Sequence, residues 1–163
     1  GRPEQGAMRL PLLLGGGVFL LLLGGYTLLS PWLDLSAISG NLQAKEGFTA
    51  ATFPLAALYI TFGNSLLEEL FFRGFAFLAL YRSGYKKLAW TFSAIAFALY
   101  HVSIMDGWFH PALLVLLTSG LACAGLLFNA LDAKSQTIWP GWLVHMGANL
   151  AINTIALHLW GII

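Results

Sequence analysis

The chain has 163 residues, of which 58% are hydrophobic and 9% charged, and its net charge is +1. A soluble domain carries about 25% charged residues, so a water-soluble globule is excluded, and the small net charge gives no reason to expect nucleic acid. The single cysteine, Cys123, excludes an internal disulfide and any multi-cysteine metal site; flanked by Gly120, Ala122, Ala124 and Gly125, it reads as a helix-packing residue.

Gly1 to Ala7 form a short polar lead-in. No small-residue cleavage site follows the apolar stretch after Arg9, so that stretch reads as a retained span rather than a signal peptide. Apolar runs of crossing length then mark five spans. The first covers about Leu10 to Leu29 and closes at Ser30-Pro31. A polar loop with Asp34, Ser36, Ser39, Gly40, Asn41, Gln43, Lys45 and Glu46 follows it. The second runs from about Phe48 to Tyr81, roughly 50 Å if wholly helical. That excess predicts tilt, a break near Pro54 or Gly63, or extension beyond the lipid. The third runs from about Leu88 to Ile104 and the fourth from Pro111 to Leu131, with proline suited to a first helical turn. The fifth runs from Ile138 to Trp160. Trp32, Trp108, Trp139, Trp142 and Trp160 lie near span ends, as interfacial aromatics do. The expected fold is all-α: a polytopic transmembrane bundle of about five spans around an intramembrane polar site.

The basic residues orient this bundle. With the N-terminus inside, Arg2, Arg9, Arg82, Lys86, Lys87 and Lys134 fall on the inner face and only Lys45 on the outer. That asymmetry obeys the positive-inside rule and predicts a multi-pass protein of a bacterial inner membrane with a cytoplasmic N-terminus.

Polar residues inside the spans carry the functional signal, because a charged group at membrane depth costs several kcal/mol. They are Glu68, Glu69 and Arg73 in the second span, His101 in the third, and His145 and Asn149 in the fifth. Counted from the inner ends at 1.5 Å per residue, Glu68, His101, His145 and Asn149 all lie roughly 10–20 Å deep, so antiparallel helices can bring them to one cavity. Glu69 and Arg73, four apart, share a face and can pair, which lowers the cost of burying both. Glu68 points about 140° away from Arg73 on a regular helix, leaving a carboxylate free for chemistry. His145 and Asn149, also four apart, can donate to a developing oxyanion or simply hydrogen-bond between helices. His101 can share a water with Glu68 or serve as a packing residue. His110 and His158, near the outer boundary, receive no role, and Asn64 and Asn153 sit one turn from motif residues. The metalloprotease pattern His-Glu-x-x-His is absent, as is a Gly-x-Ser-x-Gly serine site. Zinc held by Glu68, His101 and His145 stays chemically open.

Three motifs in order, Glu68-Glu69-x-x-x-Arg73, Phe97-x-x-x-His101 and His145-x-x-x-Asn149, resemble those of the CPBP family, the type II CAAX prenyl protease and bacteriocin-processing group. The resemblance covers about Phe48 to Trp160. It implies residues 1–47 as lead-in, first helix and loop, and 48–163 as the catalytic helical core. It further implies intramembrane proteolysis in which Glu68 and His101 activate water, His145 and Asn149 stabilise the oxyanion, and Glu69 with Arg73 hold the site together. The expected reaction uses no cofactor, and a metal-dependent version would use Glu68, His101 and His145. The implied partners are the lipid bilayer and a protein or peptide substrate: an isoprenylated C-terminal tail, a peptide leader or a sorting-type anchor. The small size favours the last two, and no oligomeric state follows. Two rivals are a non-catalytic binding or immunity protein on the same scaffold, and a proton-linked transporter.

Overall fold

In the computed structural model, residues 8–105 and 109–163 are described; the expected lead-in at 1–7 and Trp108 lie outside them. Among the described residues there is no strand, and six helices account for most of them. They are α1 (Arg9–Leu29), α2 (Leu35–Glu46), α3 (Phe53–Arg82), α4 (Lys86–Met105), α5 (Pro111–Ser135) and α6 (Trp139–Leu159). Four of these, α1, α3, α4 and α5, are long and apolar enough to cross a membrane. The fifth expected span is α6, of crossing length at 21 residues; His145, Asn149, Asn153 and His158 dilute its apolarity.

Two expectations about the chain between the first spans are corrected. The expected polar loop contains the helix Leu35–Glu46. Its composition hid it, for Leu35, Leu42, Gln43, Ala44, Lys45 and Glu46 are all good helix formers. Gly47 ends the helix in the left-handed region at φ 68°, donating its N–H to the Gln43 carbonyl, a termination that glycine makes without a Cβ penalty. The second span starts at Phe53 instead of Phe48, and Pro54 opens the helix rather than breaking it. Two wide π-helical stretches, Tyr59–Asn64, which includes Gly63, and Leu70–Ala79, interrupt the regular helix on either side of the glutamate pair.

Neighbours in the bundle alternate in direction. Phe72 with Phe97 and Phe77 with Trp90, Phe97 with Phe128 and Trp90 with Asn129, and Phe128 with His145 and Asp132 with Gly141 run α3, α4, α5 and α6 antiparallel around one core of Phe72, Phe97, Phe128 and Val144. Helix α1 runs parallel to α6, from Gly15 beside Leu143 to Tyr26 beside His158. Arg9, Arg82, Lys86, Lys87 and Lys134 therefore share one end of the bundle. The outer faces expose Leu20, Leu21, Leu28, Phe75, Val115 and Leu116, an apolar girdle that only lipid covers favourably. The chain is an integral membrane protein.

The wide turns of α3 are pinned from outside. A π turn bonds i to i+5 and loosens the carbonyl ladder, and neighbouring helices meet the loosened carbonyls. Asn149 donates to Ile60 O at 3.2 Å, Asn153 to Ala57 O at 3.0 Å, and Ser93 to Phe72 O at 2.8 Å. Trp142 Nε1 adds a bond to Ser65 Oγ at 3.0 Å.

Helices α1 and α6 touch backbone to backbone. A Cβ on Gly147 would clash with the Gly15 carbonyl oxygen, and one on Gly15 would meet Leu143 O at 2.9 Å. Backbone atoms cannot rotate away, so Gly147→Val must force the helices apart, at about 3 kcal/mol by analogy with overpacked cores. Unfolding of the detergent-solubilised protein measures this loss. Gly16→Ala, which meets nothing within 4 Å, is the control and leaves stability unchanged.

Candidate active site

The glutamate pair lies in a short α-helical interval, Ser65–Glu69, between the two π stretches of α3. Regular helices turn successive side chains by about 100°, which would send one of two adjacent acids to lipid. Here both are buried, Glu68 at 8% exposure and Glu69 at 0%. In the π stretch that follows, residues five apart come to lie over one another, which draws Glu68 towards the Arg73 side of the helix.

The two carboxylates have different partners. Glu69 Oε1 lies 3.2 Å from Arg73 Nη1 and accepts from His145 Nδ1 at 2.8 Å. The Arg73 guanidinium is wholly buried and stacks over Phe97 at 4.0 Å and Phe128 at 4.8 Å. It is thus held by charge and ring faces more than by aligned hydrogen bonds. Glu68 Oε1 accepts from Asn64 Nδ2 at 2.6 Å. Glu68 Oε2 accepts no hydrogen bond and faces two imidazoles, His145 Nε2 at 3.6 Å and His101 Nε2 at 3.7 Å.

Hydrogen bonding fixes the tautomers of both rings. His101 Nδ1 lies 2.8 Å from the Phe97 carbonyl, which can only accept, so Nδ1 carries the hydrogen and Nε2 of the neutral ring is bare. His145 Nδ1 donates to Glu69, and its neutral Nε2 is bare by the same reasoning. Packing locks both orientations: the His145 ring stacks on Phe128 at 22°, and the His101 ring lies 4.4 Å from the Phe97 centroid. With both rings neutral and Glu68 ionised, three lone pairs, Glu68 Oε2 and two imidazole Nε2, converge with no hydrogen among them. Such a point attracts a proton donor or a cation. A water can donate to two of the three acceptors. A divalent ion also fits, since Glu68, His101 and His145 offer ligand atoms within 4.8 Å of one another. Tetrahedral zinc would space such donors by about 3.3 Å, and would supply Lewis acidity to a water or a carbonyl.

The structure thus gathers Glu68, His101 and His145, with Glu69 and Arg73 directly behind His145. Asn149 is one turn along α6, and its amide donates to the Ile60 backbone of α3. His110 accepts from Ala112 N at the start of α5, and His158 lies edge-on to Tyr26; both are remote from the cluster. Asn64, which the sequence places one turn from Glu68, donates to it. Sequence reasoning missed two further supports. One is buried Asn129, beside Ser93 at 3.1 Å. The other is Asp132, wholly buried near the end of α5. An ionisable residue inside the apolar stretch 111–135 was the available signal for Asp132.

A family model described as type II CAAX prenyl endopeptidase, Rce1-like, matches residues 50–151, which span the whole cluster. No curated protein and no solved structure gave a match.

Proposed function

The chain belongs to the Rce1-like family of type II CAAX prenyl endopeptidases, and from that membership we propose an intramembrane, glutamate-dependent endopeptidase acting on a membrane-anchored protein or peptide. The supporting observation is the unpartnered Glu68 Oε2, 3.6 and 3.7 Å from two bare imidazole nitrogens in a buried setting.

In this reading a water donates one hydrogen to Glu68 Oε2 and the other to an imidazole Nε2. Glu68 takes the first proton as the water oxygen bonds to the scissile carbonyl carbon, and an oxyanion forms. His145 cannot donate from Nε2 while neutral, because its hydrogen is on Nδ1. The proton that Glu68 takes from the water passes on to that nitrogen, with Glu69 stabilising the imidazolium as the buried acid does in a catalytic triad. The new Nε2–H then faces the oxyanion. Asn149 keeps a second amide hydrogen, beyond the one given to Ile60, for the same oxygen. His145 gives its proton to the departing nitrogen as the C–N bond breaks, and Glu68 takes the remaining hydroxyl proton and releases it to solvent, leaving a carboxylate and an amine. His101 orients the water opposite His145. The basic end of the bundle faces the cytoplasm, where the positive-inside rule puts it, so cleavage occurs towards that side. Candidate substrates remain a lipid-modified C-terminal tail, a peptide leader or a sorting-type anchor.

Protein reconstituted in liposomes should cleave an anchored reporter peptide, and His101→Ala and His145→Ala should each lose about 10²-fold or more, the usual contribution of positioned acid–base groups. Full cleavage by both variants would remove the proposal. A metal-dependent hydrolase is the second reading, favoured by the three converging lone pairs. Exhaustive chelation separates the two: activity is retained under the first, and lost then restored by zinc under the second.

A further inference from the structure

Asp132 has no role in the chemistry just described, yet it is wholly buried and one of its oxygens is unpartnered. Its Oδ1 accepts the Gly141 N–H at 2.8 Å across the turn between α5 and α6. Gly141 is in the first turn of α6, where helix N–H groups lack intrahelical partners; Pro140 beside it has none to offer. No side chain of the preceding residue caps this helix, so the cap comes from the neighbouring helix nine residues back. The fit is tight: a Cβ on Gly141 would meet Asp132 Oδ2 at 2.8 Å and Oδ1 at 3.0 Å.

His145 is four residues after Gly141, one turn along the same face. We propose that Asp132 is a positioning residue for this site: by holding the first turn of α6 it sets the height and rotation at which His145 Nδ1 meets Glu69 and Nε2 meets Glu68. The inference rests on His145 serving the reaction, as proposed above. Three facts carry it. The cap bond crosses two helices, so it fixes their relative register rather than only an end. A Cβ at 141 would press on both Asp132 oxygens, so a larger residue there displaces the cap. The dependent contact, 2.8 Å from His145 to Glu69, is short enough that a small rotation of α6 would break it.

The test uses the full chain in lipid nanodiscs and two independent readouts. The first is the 15N signature of the His145 ring, which reports its tautomer whether or not the protein turns over substrate. In Asp132→Ala the hydrogen on Nδ1 should no longer be fixed, and the two tautomers should mix. Asp132→Asn, whose side-chain oxygen can still accept from Gly141, should keep the wild-type ring signals. The second readout is cleavage: Asp132→Ala should lower kcat about tenfold or more with KM unchanged, as small misplacements of reacting groups do, and Asp132→Asn should restore most of it. Gly141→Ala should show the same kcat defect, and adding it to Asp132→Ala should cost nothing more, because the clash has gone. Wild-type ring signals in Asp132→Ala, an Asp132→Asn as impaired as Asp132→Ala, or additive losses in the double variant would each overturn the assignment. Failure of the proposed function looks different: His145→Ala would then cleave normally while the ring signals still answered to Asp132.

Discussion

Glu68→Gln is expected to reduce cleavage of an anchored peptide by about 10²–10⁴-fold, the range for losing a positioned general base, without unfolding the bundle. The change is nearly isosteric. Its amide oxygen can still accept from Asn64, as Glu68 Oε1 does at 2.6 Å. Its NH₂ can donate to the bare Nε2 atoms of His101 and His145, which lie 3.7 and 3.6 Å from Oε2. The substitution therefore converts three converging acceptors into a satisfied hydrogen-bonded set, and stability should be unchanged or slightly raised. What is lost is the ability to take a proton from water. Proteoliposome cleavage measured beside thermal unfolding of the same preparations checks both halves. Unimpaired cleavage by Glu68→Gln would remove Glu68 from the chemistry, whereas full function in cells with no cleavage by either protein would point to the non-catalytic binding protein on this scaffold.

Arg73→Met is expected to have the largest effect on stability, about 3–5 kcal/mol, the cost of stripping one partner from a buried ion pair. Arg73 and Glu69 are both fully buried, 3.2 Å apart, and Glu69 Oε2 has no hydrogen-bond partner to fall back on. The guanidinium also fills the space between Phe97 and Phe128, and methionine replaces much of that volume. The loss should therefore come from the charge left behind on Glu69 rather than from a cavity. Adding Glu69→Gln should recover a large part of the stability, since the amide oxygen can still accept from His145 Nδ1. Chemical unfolding of the single and double variants measures the coupling. Equal stability of Arg73→Met and the double variant would show that ring stacking, rather than charge pairing, is what Arg73 contributes.

The pairing of Glu69 with Arg73 is legible in the sequence because the i, i+4 relation is a property of one helix. The inward placement of the three motifs, with Glu68, Glu69, Arg73 and His145 buried and His101 and Asn149 half-buried, is legible because polar residues in apolar runs have nowhere favourable to go except inward. Other features were legible only in part. Leu35–Glu46 is helical although its residues read as a loop, because polar composition and helix propensity are separate properties. The start at Phe53 was obscured by reading Pro54 as a break when proline also opens helices.

Composition and run length settled that the chain is a membrane-embedded bundle of helices, since an apolar run of about twenty residues has one stable solution in lipid. Motif order settled which side chains would be available at depth. Partner choice belongs to the folded bundle: that Glu69 takes both Arg73 and His145, that both imidazoles turn bare nitrogens to Glu68, and that Asp132 caps a helix not its own. Such choices depend on the rotation and height of one helix against another. Those are fixed by close contacts such as Gly15 against Gly147 and by the π turns of α3, which shift the helical period without leaving a pattern in the residues that adopt them.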